Sequence, residues 1–544
     1  MKIAHITYLG LVIFVVHSAN SSSHVYDTVT NTRIFSKKAA LRIRTNEDFL
    51  DAMKELIVIL IDSLITKLKI DDVDTHQVQL RDLRVTQFNK PESTSFTYEP
   101  QLNGVKTEFR KMDMRLDGKL LIPLIFATSD FSSLISGLSC DIGLKFAEGQ
   151  HGHLEFIVAQ CEVTIDQSTT TISNYRGAAR LVAPRLIQQK MDVEFPKSFK
   201  KIVCDYMTKF LETDVRKEIE KASSLNLFGE TESETAKSSN GRGKIKEGSL
   251  QGTLAEGLDK VRKLRLNSSL TERPVVKAHF AEFEERGEYS WENRGGTPYN
   301  NPSLNENPRS YDRMITIVAS DFLLNSLLYH ANAHKLFNVK FGADYVDDRD
   351  LAQVVQLLFD VILGVLMPDF EDQYPKHIAS LEYYQRRAPV ALFEKNGTIS
   401  ADSLSSLKLF ARKNENGSKP LLISHLNIDL IGQFQLNLTR QIFRGDFSFS
   451  SFNVSLVQSR LKEFNKEKLE DLKKVLKSMV SNLIQSALRG GLKIPDFKSI
   501  HPTNTTLHFA ERTCKFETNL EFNEKAIVNQ TEQQLRETNK LREI

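Results

Sequence analysis

His151-Gly152-His153, followed by Cys161, is the set of side chains in this 544-residue chain that comes nearest to a metal site. Two imidazoles and a thiolate suit zinc, but no fourth ligand follows at a recognised spacing, and two turn histidines account for the pattern. Asp71-Asp72-Val73-Asp74 lacks the glycine of a calcium-binding loop and reads as the exit of a helix. Asp347-Asp348-Arg349-Asp350 is placed as a charge cluster at a helix N-terminus. There is no Gly-x-Ser-x-Gly elbow for a serine nucleophile and no His-Glu-x-x-His. Gly241-Arg242-Gly243-Lys244 lacks the spacing of a phosphate-binding loop. No nucleophile, base and oxyanion donor fall together. The expectation is a binding protein, not an enzyme, with no metal and no cofactor beyond a bound ligand.

The composition narrows the ligand. Hydrophobic residues make up 40% and charged residues 26%, as in ordinary globular chains. Lys+Arg is 72 against 69 Asp+Glu, a net charge of +3, too little for a nucleic-acid field on a chain this long. Residues 1–18 read as a secretory signal: Lys2, then the apolar run Leu9 to Val16, then Val16-His17-Ser18 for cleavage. The run is too short to span a hydrocarbon core. Secretion and an extracellular location follow. The sequons at Asn267, Asn396, Asn416, Asn437, Asn453 and Asn504 become candidate glycosylation sites on exposed surface, beside those at Asn20 and Asn529.

The elements that must position a ligand come in two similar halves. Spacing predicts a long helix from Thr45, with Phe49, Met53, Leu56, Ile57, Leu60, Leu64, Ile65 and Leu68 forming one wide apolar stripe. Strand-like runs alternate over 77–163, and a second helical stretch starts near Pro196. A polar loop fills 229–250, and Asn293 to Ser310, rich in Pro and Gly, reads as a linker. The second half opens with a helix capped by Ser320 and carrying Phe322, Leu323 and Leu327. Strand runs at 404–412, 420–428, 431–439 and 446–456 follow, then a long helix from about Leu469 that stops at Gly490-Gly491. Leu351 to Met367 is apolar but interrupted by Gln353, Gln356 and Asp360, as in a buried amphipathic helix. These stripes are wider than a helix needs to cover a sheet.

Several segments in order resemble one family: bactericidal/permeability-increasing protein, lipopolysaccharide-binding protein, and the cholesteryl ester and phospholipid transfer proteins. They are Leu68-Lys69-Ile70-Asp71-Asp72, Cys161 with Cys204, and Arg286-Gly287-Glu288-Tyr289-Ser290. Asp312-Arg313-Met314 with Ser320-Asp321-Phe322 and Asn325 follows, then Met367-Pro368 with Tyr374-Pro375. The resemblance implies an α+β boomerang of two elongated barrels joined by a central sheet, each barrel a twisted antiparallel sheet wrapped around long helices and enclosing an apolar lipid pocket. It also implies a Cys161–Cys204 disulfide, with Cys140 and Cys514 left free. The halves would be an N-terminal barrel at 36–276, a linker and central sheet at 277–310, a C-terminal barrel at 311–523, and a polar tail at 524–544.

On this footing Leu56, Leu60, Leu64 and Ile65 would line the first pocket, and Phe322, Leu323 and Leu327 the second. The expected function is carriage of phospholipid, sterol or other apolar molecules between tissues or particles, with transient contact to lipoprotein particles or membrane surfaces and none to nucleic acid. The alternative is innate-immune recognition of bacterial lipopolysaccharide. Residues 21–220 carry 27 Lys+Arg against 28 Asp+Glu, a net of −1, and only Arg33 to Arg44 is locally basic. That departs from the cationic first domain of the bactericidal members.

Overall fold

The computed structural model describes residues 37–67, 70, 72–74, 79–122, 127–149, 152–176, 263–304, 312–342, 363–364, 370–413, 419–439, 442–460, 466–493 and 499–537, with scattered positions between 192 and 208. These residues form a mixed, sheet-rich fold in which every strand pairing is antiparallel. A first seven-stranded sheet comes from residues 73–176 and a second from 339–493. In the first, the strand Ala127–Glu148 runs 22 residues. One half of it pairs with Gln167–Arg176 and the other with Leu154–Thr164. The runs expected at 420–428 and 431–439 are one strand, Leu421–Thr439. A register shift between Ile431 and Gly432 lets it bend without breaking.

A six-stranded sheet ties distant parts of the chain together. Its order is Val275–Lys277, Phe280–Glu285, Leu41–Asn46, Ile315–Ser320, Thr513–Phe522 and Ile500–Ala510. It thus draws strands from well outside the 277–310 stretch. Alternation sets its two faces. Leu41 and Ile43 are buried on one, while Arg42 and Arg44 on the other pair with Glu284 and Glu282 across the strand.

Helix α1, Glu47–Leu64, follows directly on the first of these strands. Its cap is Asn46, whose side chain accepts the Phe49 amide at 3.2 Å, and Glu47 and Asp48 fill the first turn. The expected start at Thr45 is two residues early. Thr45 is still strand, and its hydroxyl accepts from Tyr98 at 2.8 Å instead of capping. Helix α2 is Asp321–Ala333, α3 is Lys466–Gly490 and α4 is Glu524–Glu537. Ser320 does precede α2, but its hydroxyl bonds Asn301 Oδ1 at 3.1 Å and makes no cap bond. The segment expected to be a polar tail therefore contains a helix, with Ile527 and Thr531 buried.

Glu285 is the anomaly of the central sheet. It shares a face with Ala281 and Phe283, lies opposite Leu41, and is 6% exposed. Among the described residues its Oε2 has no hydrogen-bond partner. Burial pushes its carboxyl up to about 8 from an ordinary 4.5. Between those values the folded chain holds a proton that the unfolded chain releases, so stability is fullest below the lower value and falls as pH rises through the window. Glu285→Gln keeps the shape and removes the titration. Guanidinium unfolding at pH 5 and pH 8.5 should show wild type losing on the order of 3–5 kcal/mol that the variant keeps. Equal pH slopes in the two proteins would place the carboxyl in water.

Candidate apolar ligand site

The inner face of the first sheet carries two adjoining cores. One, built on Phe146, Phe156 and Phe283, takes Phe49, Leu50 and Met53 from the start of α1. The other, built on Met114, Leu116, Phe131, Ile135 and Ile172, takes Ile57, Ile61 and Ile65 from its later turns. These three isoleucines follow at intervals of four, one side of the helix. They pack on the core yet stay only half-buried, as do Phe88, Tyr175 and Phe199 around it. Apolar side chains that touch a core while keeping accessible surface are the expected lining of a slot.

The neighbouring stripe, Leu56, Leu60 and Leu64, is fully buried, but against a different partner. It forms a separate cluster with Ile527 and Val528 of α4 and Phe522. Lys67 beside it pairs with Glu532. Of the residues expected to line the first pocket, only Ile65 reaches the sheet core, touching both clusters. Ile57 and Ile61, in the same apolar stripe, pack on that core although neither was among the residues expected to line a pocket.

In the second half Phe322 is buried. Leu323 and Leu327 pack on Leu264, Leu266, Tyr289 and Trp291, the two-stranded ribbon of Leu264–Asn267 with Glu288–Trp291. The inner face of the second sheet is filled instead by Leu472 and Leu476 of α3, with Leu381, Leu409 and Leu426 from its strands.

The motif residues quoted above are mostly joints. Gly287 has φ +59, and a Cβ there would stand 3.1 Å from Ala40 Cβ, so the turn needs glycine. Glu288 is buried and accepts the Thr297 amide at 3.0 Å, and the Tyr289 amide donates to Ser326 Oγ at 2.9 Å. Asn325 bonds the backbone of Ala391 through both side-chain atoms, at 2.8 and 2.7 Å, and so clips α2 to the second sheet. Tyr374 stacks on Phe370. Leu68, Lys69, Asp71, Met367 and Pro368 lie outside the described residues.

Cys161 and Cys204 are disulfide-bonded and tie the strand Leu154–Thr164 to the helical residues that carry Phe195 and Val203. Closing a loop of that span stabilises by about 3–4 kcal/mol in the chain-entropy account. Cys140 and Cys514 are free, and burial pushes both thiols up to about 12, which keeps them protonated and unreactive. With Cys161 so used, the metal set that includes it is broken, and no cluster of three metal-ligating side chains occurs among the described residues. No helix among them is long and apolar enough to cross a membrane. Of the sequons, Asn396, Asn437, Asn453 and Asn504 are exposed; Asn267 is half-buried, with Oδ1 held by the Ser269 amide at 3.0 Å and hydroxyl at 2.7 Å. Asn416 lies outside the described residues.

A bactericidal permeability-increasing protein of Sebastes schlegelii is 20% identical over 256 residues, 47% of this chain and 52% of that protein, so the match spans about half the relative's length. A crystal structure of lipopolysaccharide binding protein is similar over 89% of this chain and 99% of its own, at 14% identity and a TM-score of 0.37. Takeout 1 of Epiphyas postvittana covers 33% of this chain and 90% of its own, at 13% identity and a TM-score of 0.20. The C-terminal domain of the LBP / BPI / CETP family matches residues 259–522, the stretch that supplies five of the six central strands and the whole second sheet. Residues 259–522, to which Leu41–Asn46 is hydrogen-bonded on both sides, are thus similar to the C-terminal domain of the LBP / BPI / CETP family.

Proposed function

We propose that this chain is a secreted lipid-binding and lipid-transport protein, without enzymatic activity, that holds phospholipid, sterol or another apolar molecule between α1 and the first sheet. The reading includes the boomerang of two barrels, with a second apolar interior under α3. The observation that carries it is the half-buried stripe Ile57, Ile61 and Ile65 on the apolar core of the first sheet. Each methylene moved there from water contributes about 0.8 kcal/mol, before the cost of ordering the chain.

Charge argues against lipopolysaccharide as the main ligand. Lipid A phosphates need clustered, available Arg or Lys. Arg42 and Arg44, from the one basic stretch, face Glu284 and Glu282 at 2.8 Å. Binding of lipopolysaccharide that is tight and collapses with added salt would restore that alternative.

Two neighbouring substitutions weigh the slot against the helix packing, Ile61 touching both clusters and Leu60 the α4 cluster. Ile61→Phe should leave stability within about 1.5 kcal/mol and reduce the amount or chain length of lipid taken up from phosphatidylcholine vesicles. Leu60→Phe, pressed against Ile527, should cost about 1–3 kcal/mol of stability and change uptake less. A well-folded wild type that takes up no phospholipid, sterol or fatty acid defeats the carrier reading. Uptake that Ile61→Phe leaves untouched defeats only the placement.

A further inference from the structure

One end of the second sheet gathers cations. The strand Thr398–Lys413 starts beside the central sheet, where Lys395 pairs with Glu511 and the Arg512 amide donates to the Phe393 carbonyl. Its far end, at Lys413, is about 50 Å away at the rise of an extended strand. There four neighbouring strands end in a row. Lys376 precedes the strand His377–Gln385, whose His377 lies opposite Lys413. Lys419 leads into Leu421–Thr439, whose Leu421 lies opposite Ala411. Arg460 closes Ile442–Ser459, its amide donating to the Ile423 carbonyl at 2.8 Å. Lys466 then opens α3, a position where the helix dipole favours an anion instead.

Lys376, Lys413, Lys419, Arg460 and Lys466 are all exposed. Among the described residues Lys376, Lys419, Arg460 and Lys466 have no carboxylate partner. The described carboxylates nearest to them in the chain are Asp372 and Glu467. Apolar surface adjoins the row. Val457 bulges between Leu456, opposite Leu426, and Gln458, opposite His425. It is 51% exposed and Leu456 is 39% exposed. A sulfated polysaccharide would meet only the charges. An anionic bilayer meets both features, because its phosphates attract the cations and its interface takes up the apolar side chains.

We propose that this end of the second sheet docks on an anionic phospholipid surface. Lys376, Lys413, Lys419, Arg460 and Lys466 face the headgroups, and Val457 and Leu456 enter among them. The row spans about 14 Å from the first strand to the fourth, which suits a plane of headgroups better than a single phosphate. The docking sets where the chain meets a membrane, whatever the slot under α1 holds.

The test is co-sedimentation of the full secreted chain with sucrose-loaded vesicles of phosphatidylcholine, alone or mixed with phosphatidylglycerol, at low and high salt. Wild type should bind the mixed vesicles only, and less at high salt. Lys419→Gln with Arg460→Gln should weaken that binding about 10- to 30-fold, the effect of two cations near the surface. Val457→Ser should weaken it about three- to tenfold at either salt. Circular dichroism checks the fold, and Lys376→Gln with Lys466→Gln is read in the same way should the first pair not fold. Equal binding to both kinds of vesicle, or variants that bind like wild type, overturn the assignment. So does binding to heparin or to lipopolysaccharide with none to either vesicle. The sequon at Asn416 lies between Lys413 and Lys419, so the assay is repeated after enzymatic removal of N-glycans. Binding that appears only then overturns docking by the secreted protein. Interior lipid plays no part in the readout, so a chain that carries none still tests the docking.

Discussion

Arg512→Ala is expected to cost about 3–5 kcal/mol of stability, the range for uncovering one partner of a buried ion pair. Asp321, at the first turn of α2, is fully buried, and Arg512 grips both its oxygens, Nη2 to Oδ1 at 2.8 Å. The same arginine sits in the turn between Ile500–Ala510 and Thr513–Phe522, where its carbonyl accepts the Asp321 amide at 3.0 Å and its amide donates to Phe393 at 2.9 Å. One residue thus joins the central sheet, α2 and the second sheet. Without the guanidinium a carboxylate is left buried and unpaired. Urea unfolding at pH 8 measures the loss. A loss below about 1 kcal/mol at pH 8 would mean that water already reaches Asp321.

Ending the chain at Asn523, and so removing α4, should be comparably severe. Leu56, Leu60 and Leu64 cluster with Ile527, Val528 and Phe522. Burying one such leucine is worth about 1.5–3 kcal/mol, so partial exposure of three loses on the order of 4–6 kcal/mol. The bond from Ser499 Oγ to Gln530 at 2.8 Å and the Lys67–Glu532 pair go as well. The bared stripe should also drive self-association. Size-exclusion chromatography with chemical unfolding reads both consequences. A monomeric truncated chain with the wild-type midpoint would show that α4 contributes nothing to the fold.

That helix also shows where reading the sequence stops. Helical spacing makes α1 legible, and the breadth of its stripe was read as a sheet on one side and a slot on the other, where the structure puts α4 against Leu56, Leu60 and Leu64. Spacing cannot say which half meets which, because Leu60 and Ile61 differ by one helical step and have the same chemistry. The answer depends on a segment more than 450 residues away, Glu524–Glu537. Its described apolar side chains on α1 are only Ile527 and Val528, so its composition reads as polar. The neighbours of Leu323 and Leu327 were hidden for a related reason: the ribbon that covers them begins at Leu264, before the linker, where the strands are four residues long and carry no clear period. By contrast the disulfide partners, the glycine at 287 and Asn325 were picked out through the family resemblance, and the structure makes each of them a joint.

The most direct measurement of the central claim is photo-crosslinking of the intact chain with a diazirine-bearing phosphatidylcholine delivered from vesicles, followed by peptide mapping. Lipid lying between α1 and the first sheet should label the peptides that hold Ile57 to Ile65, Phe131 to Ile135, and Phe195 to Val203, and unlabelled lipid should compete the label away. Label confined to the outward faces of the sheets, or none at all from vesicles that label a control carrier, would contradict the account.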